Sequence, residues 1–218
     1  MEHQSSSLTL VEIPRSLVPP TWDAAVRRAS MSECREVALS LAHSFATDGF
    51  SMYLVGAWDM AHLSHEEKWR LHVDMMAYST AAHFLSGIVK TIGPEYDSVA
   101  VWLPPGADAD GWWTVLRSGL WRIHFMLSTE GRRRYFDEVL PLLHRTKVEV
   151  MGARDAECYY LVYLGTKPNS RGRGYAGKLI EDLIRVRVIS LTRGLEPVQL
   201  DIMVREPRAG FGGYSMKA

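Results

Sequence analysis

The sequence is poor in cysteine. Its 218 residues include two, Cys34 and Cys158, which lie far apart and in no metal-ligand spacing. A disulfide-stapled secreted scaffold and a cysteine-rich zinc module are therefore excluded. We expect a reduced, intracellular protein in which both thiols are packed.

The sequence also lacks an excess of charge of either sign, since 25 Lys and Arg side chains balance 25 Asp and Glu side chains. Without a global field, the chain is predicted to bind neither nucleic acid nor an anionic membrane, and any basic site has to be local. No apolar run approaches the roughly 20 residues that span a bilayer, and residues 1–14 lack the order of a signal peptide. We expect a cytoplasmic protein; nothing in the sequence fixes its oligomeric state.

What is present is an ordinary globular composition, with 47% hydrophobic and 23% charged residues. This composition favours a packed core over disorder. We divide the chain into an N-terminal arm (1–20), a single domain (21–204) and an irregular, glycine-containing C-terminal tail (205–218).

Helical and strand patterns are interspersed along the domain, which predicts an α/β fold. Ser64 and Glu67 have the spacing of a capping box at the start of a helix. Helical patterns cover 21–47, with a helix start near Ser32 and Glu36, and 64–82, 112–120, 129–144 and 174–192. The predicted strands cover 97–103, 157–165 and 198–204, and 84–92 could continue the preceding helix but favours a strand.

The most informative segment is 159–184, an apolar strand followed by a short glycine-rich loop and an amphipathic helix. Gly172, Gly174 and Gly177 let the main chain turn sharply and approach a ligand closely. The helix presents its first N–H groups and its positive dipole end to the loop. Local positive charge comes from four side chains, Lys167, Arg171, Arg173 and Lys178. The segment is therefore predicted to bind phosphate.

Other phosphate-binding motifs fit this loop poorly. The string GRGYAG matches G-x-G-x-x-G, but six residues separate Gly165 from Gly172, and Glu196 precedes the strand that it should follow. Gly177-Lys178 is followed by Leu179 where a P-loop requires Ser or Thr. A kinase glycine loop would lead into a strand instead of a helix. A nucleotide-dependent oxidoreductase is thus the weakest of the hypotheses.

Residues 164–177, LGTKPNSRGRGYAG, resemble the central motif of the GCN5-related N-acetyltransferase (GNAT) family. The family signature [QR]-x-x-G-x-[GA] is matched by Arg171, Gly174 and Ala176. The upstream strand end L-x-V-x-P is matched at 164–168, with Thr166 in place of valine. The string WLPPG at 102–106 is similar to a strand end of fungal-type members. The resemblance implies a mixed, largely antiparallel sheet flanked by helices.

The resemblance also implies a site for acetyl-CoA as co-substrate. Main-chain N–H groups of residues 171–176 would hold the pyrophosphate, and main-chain groups near 164–166 would pair with the pantetheine arm and orient the acetyl carbonyl. The acceptor would be a primary amine of a small molecule or peptide, which attacks the thioester directly without a metal. The implied binding residues are Leu164, Gly165, Thr166, Arg171, Gly172, Arg173, Gly174, Tyr175 and Ala176.

The catalytic residues stay unassigned by the sequence. Histone-type relatives carry a glutamate eleven residues before the [QR] position, and Tyr160 occupies that place here. Glu157 and Asp201 are alternative proton acceptors, although each also fits a solvated or strand-end residue. The C-terminal part departs from the family because no helix follows the last predicted strand, so this part is shortened or altered. The alternative function is therefore a catalytically impaired member that binds coenzyme A or a protein partner without turnover.

A metal site is not predicted. His65-Glu66 begins like a zinc-binding helix, but Trp69 stands where the second histidine of H-E-x-x-H would fall.

Overall fold

The computed structural model describes residues 25–183, 185–191 and 200–206. The strands are β1 Arg27–Arg28, β2 Ile88–Ile92, β3 Ser98–Leu103, β4 Tyr160–Thr166, β5 Arg185–Leu191 and β6 Leu200–Glu206. The helices are α1 Cys34–Ser44, α2 Gly49–Val55, α3 His65–Ser86, α4 Trp112–Ser118, α5 Ile123–Met126, α6 Thr129–Arg132, α7 Leu140–Met151 and α8 Tyr175–Leu183. A π-helical segment, Arg133–Val139, joins α6 to α7.

The strands form two antiparallel sheets, a four-stranded one in the order β1-β2-β3-β4 and a two-stranded one of β5 and β6. Helices cover the larger sheet. The predicted α/β architecture with a largely antiparallel sheet is therefore confirmed. The predicted arm, 1–20, and the tail beyond Glu206 lie outside the described residues.

Strand β3 shows why the larger sheet needs a layer on each face. Alternate side chains of a strand point to opposite faces. Val99 and Val101 pack with residues of α1 and α3 such as Leu41, whereas Ala100 and Trp102 pack with residues of α8. All four residues are 2% exposed or less. A strand buried on both faces reads as a continuous apolar run, which is what 99–103 shows.

The connection between β3 and β4 is a helical insertion of residues 104–159, containing α4 to α7. Its side chains complete a core with α2 and α3, in which Leu54, Met75, Ile123 and Val139 are buried together. The insertion therefore packs against α2 and α3.

The prediction of one helix over 21–47 is wrong for its described first part. Arg27 and Arg28 pair with β2, and the helical turn begins only after Ser30. The side chain of Glu33 accepts a hydrogen bond from the Ser30 N–H at 2.8 Å, in a capping box. A cap of this kind fixes where a helix can start. The predicted cap at Ser64 and Glu67 is confirmed at the start of α3.

The predicted helix over 174–192 is also too long. Helix α8 ends at Leu183, and 185–191 is strand β5, paired with β6. The sequence RVRVISL supplies the reason, because Val and Ile alternate there with polar residues and favour an extended chain. The strand predicted over 198–204 is confirmed for its described part, 200–204, as β6, which also includes Arg205 and Glu206 from the predicted tail; residues 198 and 199 lie outside the described residues.

Candidate functional site

Strand β4 is the edge strand of the larger sheet. It pairs with β3 on one side, and β6 lies near its other side without a ladder between them. Its register is interrupted: Val101 pairs with Tyr163 but Trp102 pairs with Leu161, so that Val162 has no partner residue on β3. Such a β-bulge leaves main-chain groups unpaired, and bulges are common beside active sites.

The loop after β4 changes direction at two glycines. Residues Pro168–Ser170 form one 3₁₀ turn, and Gly172 and Gly174 then adopt φ angles of +78° and +71°. These are left-handed conformations that glycine reaches without steric strain. A Cβ atom at either glycine would have no atom within 4 Å. The loop therefore presents bare main chain to open space.

Four main-chain N–H groups of this loop and the first turn of α8 point to an anion site. Those of Gly172, Gly174, Ala176 and Gly177 have no hydrogen-bond partner among the described residues. The first helical hydrogen bond to residue 174 comes from the Lys178 N–H at 3.1 Å. Unsatisfied N–H groups at a helix N-terminus, together with the helix dipole, favour a bound anion.

Arg171 fastens the loop to its surroundings. Its guanidinium donates a hydrogen bond to the main-chain oxygen of Ser44 at 3.1 Å and another to that of Thr166 at 3.3 Å. The first carbonyl is at the end of α1 and the second at the end of β4. Arg171 thus acts on the loop as a brace. The guanidinium of Arg173 donates a hydrogen bond to the main-chain oxygen of Asn169, four residues earlier in the sequence, at 3.3 Å.

The strand-end residues predicted as ligands have mostly structural contacts. The main-chain oxygen of Gly165 accepts a hydrogen bond from Ser98 Oγ at 2.9 Å. Thr166 Oγ1 lies 2.8 Å from Ser98 Oγ. Leu164 packs into the core beneath α8, where Tyr175 is 2% exposed. Of the predicted set, Gly172, Gly174 and Ala176 have main-chain N–H groups without a described partner, whereas the side chains of Leu164 and Tyr175 pack inward.

An uncharacterized N-acetyltransferase of Schizosaccharomyces pombe is 32% identical to this chain over 213 residues, which cover 84% of the chain and 83% of that protein. The chain belongs to this N-acetyltransferase family. No protein-family model matches the chain.

The structure places the three candidate proton acceptors, Glu157, Tyr160 and Asp201, on three different elements. Glu157 was predicted inside the strand, but it is exposed in the 3₁₀ turn 152–157 and precedes β4. Tyr160 begins β4, and the Lys147 ammonium lies 5.4 Å from the centre of its ring. Asp201 is on β6, opposite Ser190 of β5.

A cavity beside β4 was not predicted from the sequence. The cavity measures about 30 Å³ and lies between β4, α2, α3 and the insertion. Its lining is mixed: the polar residues are Ser51, His72, Ser79, Tyr135 and Tyr163, and the apolar residues are Phe50, Leu54, Val55, Met75, Met76 and Ile123. Tyr163 Oη lies 3.0 Å from Ser79 Oγ, and the buried hydroxyl of Ser51 has no described partner. A signal existed, because His72, Ser79 and His83 are spaced seven and four residues apart and so share one helix face.

Two histidines next to this cavity are buried. His72 donates from Nε2 to the main-chain oxygen of Ala42 at 3.0 Å, and His83 donates from Nδ1 to that of Ser79 at 2.7 Å. Burial lowers the pKa of both imidazoles and outweighs these hydrogen bonds, which raise it. Both rings are therefore held neutral in the folded protein.

We expect the free energy of unfolding to fall as the pH drops below about 6.5. The folded-state pKa values of His72 and His83 lie below their unfolded values, so the unfolded chain binds protons first and acid favours unfolding. Hydrogen bonds from arginine lower the pKa of Glu33 and of Glu130 to about 2. Protonation of these two carboxylates therefore lowers the stability only at more acidic pH. Denaturant unfolding between pH 5 and 7 measures the effect.

The matched variant is His72→Gln with His83→Asn, in which an amide N–H can replace each donor. Its free energy of unfolding should change less between pH 7 and 5 than that of the wild type. His144→Asn changes an exposed histidine of α7 and serves as control. An equally steep pH dependence in the double variant would contradict the explanation.

Two other kinds of site find no support in the described residues. No group of three His, Cys, Asp or Glu side chains there could hold a metal ion. Within the same residues, no helix is both long and apolar enough to cross a bilayer.

Proposed function

We propose that the protein is an acetyl-CoA-dependent N-acetyltransferase that transfers an acetyl group to a primary amine by direct attack of the amine on the thioester. The observation that carries this proposal is the set of four unpartnered N–H groups at 172, 174, 176 and 177. Membership of an N-acetyltransferase family supports the same activity. The acceptor is proposed to be a small molecule or a peptide that carries the amine.

The residues of the loop fit the pyrophosphate of coenzyme A. A diphosphate needs several convergent donors and room to approach them. The loop offers main-chain N–H groups and glycines with open space on their Cβ side. The positive end of α8 adds a favourable field. Since the donors belong to the main chain, their positions depend on Arg171, which holds the loop against α1 and β4.

Strand β4 supplies the second half of the proposed site. Its outer edge has no ladder with a described strand, so its main-chain groups can pair with the amide-bearing pantetheine arm. A main-chain donor at the Val162 bulge would stabilise the negative charge that develops on the acetyl oxygen as the amine attacks. The bulge refines the sequence-based expectation, which put this donor at residues 164–166.

The proposal is tested by two measurements on the wild-type protein. Calorimetry should show saturable binding of acetyl-CoA, and NAD should not compete for the site. A thiol-release assay with a panel of primary amines should then show free coenzyme A formed only when a suitable amine is present. Absence of acetyl-CoA binding would overturn the proposal.

A specific observation favours the alternative, a family member that binds coenzyme A or a protein partner without turnover. Tyr160 stands where histone-type relatives have glutamate, and its ring lies beside Lys147. If the protein binds acetyl-CoA tightly but releases no thiol with any amine, the alternative is the better description.

The brace gives a separate prediction. Arg171→Lys should weaken acetyl-CoA binding about tenfold, because a lysine keeps the charge but lacks the planar fork that reaches two carbonyls. Arg171→Met should weaken binding at least as much. Arg145→Met removes an exposed arginine paired with Glu149 on α7 and is the control. Calorimetric titration measures the affinity of each variant for acetyl-CoA. If Arg171→Lys binds acetyl-CoA as tightly as the wild type, the positive charge at 171 and not the two hydrogen bonds supports binding.

A further inference from the structure

The cavity beside β4 has the size of a water site, and its mixed lining includes several side chains that can hydrogen-bond to a water. At about 30 Å³ it has room for one water molecule, and a buried water usually makes two to four hydrogen bonds. Hydroxyl groups of Ser51, Ser79, Tyr135 and Tyr163 line it. The buried Ser51 hydroxyl has no partner among the described residues, and leaving it so would be unfavourable. A bound water would satisfy it.

The position of the cavity links it to the proposed reaction. Tyr163 directly follows the bulge at Val162 and is the cavity residue contributed by β4. Its ring is held edge-on against Phe45 and His83, with ring centres 6.0 Å and 5.7 Å apart. Its hydroxyl meets Ser79. Tyr163 therefore connects the strand segment next to the bulge with the cavity.

His72 provides a basic atom at the cavity. Because its Nε2 donates to the main-chain oxygen of Ala42, the ring carries its lone pair on Nδ1. No Asp, Glu, Lys or Arg lines the cavity. The charged and titratable groups that act on these residues are Asp48 and His43 near His72, and Asp110 near Tyr135 and Tyr163.

We infer that this cavity is a proton relay for the proposed acetyl transfer, in which Tyr163, Ser79 and a cavity water pass the proton of the acceptor amine to Nδ1 of His72. The inference rests on the proposed function. As the C–N bond forms and the C–S bond breaks, the amine loses one proton to the relay. The departing thiolate takes up one proton, so the charges balance and His72 is neutral again once its proton has left to solvent.

The neutral state of the relay groups agrees with this role. Burial raises the pKa of Tyr163 and of Tyr135, so that both keep their hydroxyl proton and can accept one proton while passing on another. Burial lowers the pKa of His72, so its lone pair is available near neutral pH. A general base of this kind contributes roughly 10²-fold or more to a proton-transfer step.

The test uses variants that remove single relay atoms. Tyr163→Phe should lower the rate of acetylation about 100-fold, with unchanged acetyl-CoA affinity because the loop amides are untouched. His72→Gln can keep the bond to Ala42 but has no basic nitrogen, so the rise of rate between pH 5 and 7 should disappear. Tyr53→Phe, which removes a hydroxyl outside the cavity that bonds to Glu138, is the matched control.

The probes are acetyl-CoA with benzylamine, tyramine or a lysine-containing peptide as acceptor. If none is acetylated, the slow hydrolysis of acetyl-CoA by water gives the rate, since the attacking water loses a proton in the same way. Wild-type rates and pH profiles in both Tyr163→Phe and His72→Gln, with normal coenzyme binding, would overturn the relay alone. Failure of the wild type to bind acetyl-CoA would overturn the proposed function and the relay with it.

Discussion

Replacing Gly174 by Asp is expected to weaken acetyl-CoA binding by at least about 100-fold while the protein stays folded. A carboxylate among the N–H groups that are proposed to hold a diphosphate would bring two like charges together, which costs several kcal/mol. The substitution itself has room, because a Cβ at Gly174 would meet no atom within 4 Å. Asp is also among the residues that tolerate the left-handed φ of +71°. Calorimetric titration measures the loss.

Two controls separate charge from backbone strain. Gly106 has a φ of +70° and equally open surroundings, in the turn after β3, so Gly106→Asp introduces the same strain far from the loop and should leave binding intact. Gly174→Asn is neutral and nearly isosteric with Gly174→Asp, and it should weaken binding less than about tenfold. If Gly174→Asn lost as much acetyl-CoA affinity as Gly174→Asp, the shape of the new side chain and not its charge would cause the loss. That result would contradict the proposed electrostatic explanation.

The turn geometry of the proposed phosphate loop could be predicted from the sequence because its determinants are local. The positive φ angles of Gly172 and Gly174, and the free donors at the start of α8, follow from residues within one turn of each other. The capping box at Ser64 and Glu67 was predictable for the same reason. Short-range chemistry of this kind does not depend on the rest of the chain.

The bulge and the cavity depend on long-range packing. Nothing in YYLVYLGT marks Val162 as the unpaired residue, since the interruption is defined by the register against β3. Ser79 and Tyr163 lie 84 residues apart in the sequence, and their hydroxyl pair forms only when α3 packs on β4. The end of α8 at Leu183 was missed because the amphipathic pattern of the helix merges into that of β5.

The second large effect concerns stability: Gly165→Val is expected to lower the free energy of unfolding by about 3 kcal/mol, the upper end for an overpacked core position. A Cβ at Gly165 would lie 2.8 Å from Ser44 Cβ and 3.0 Å from Leu41 Cδ2. Helix α1 therefore packs against β4 at a distance that only glycine allows. Gly49→Val, where a Cβ would meet no atom within 4 Å, is the control and should change stability far less.

A double variant identifies the cause. Ser44→Gly removes the side chain that the new Cβ would meet, so Ser44→Gly with Gly165→Val should be more stable than the sum of the two single changes predicts. Denaturant unfolding of the four proteins gives the coupling energy directly. Strictly additive effects would mean that the contact with Ser44 is not what excludes a side chain at 165, and would leave Leu41 as the α1 residue that does so.

The same double variant decides what Gly165 does for the coenzyme. Arg171 is anchored by the main-chain oxygen of residue 44, which Ser44→Gly retains. Gly165 could affect the proposed site only by letting α1 pack closely against β4. In that case the double variant should recover acetyl-CoA affinity together with stability, because α1 returns to its position and Arg171 can again hydrogen-bond to the main-chain oxygen of residue 44. If the double variant recovers its free energy of unfolding but not its affinity for acetyl-CoA, residue 165 itself contacts the pantetheine arm, as the family resemblance implies for this position.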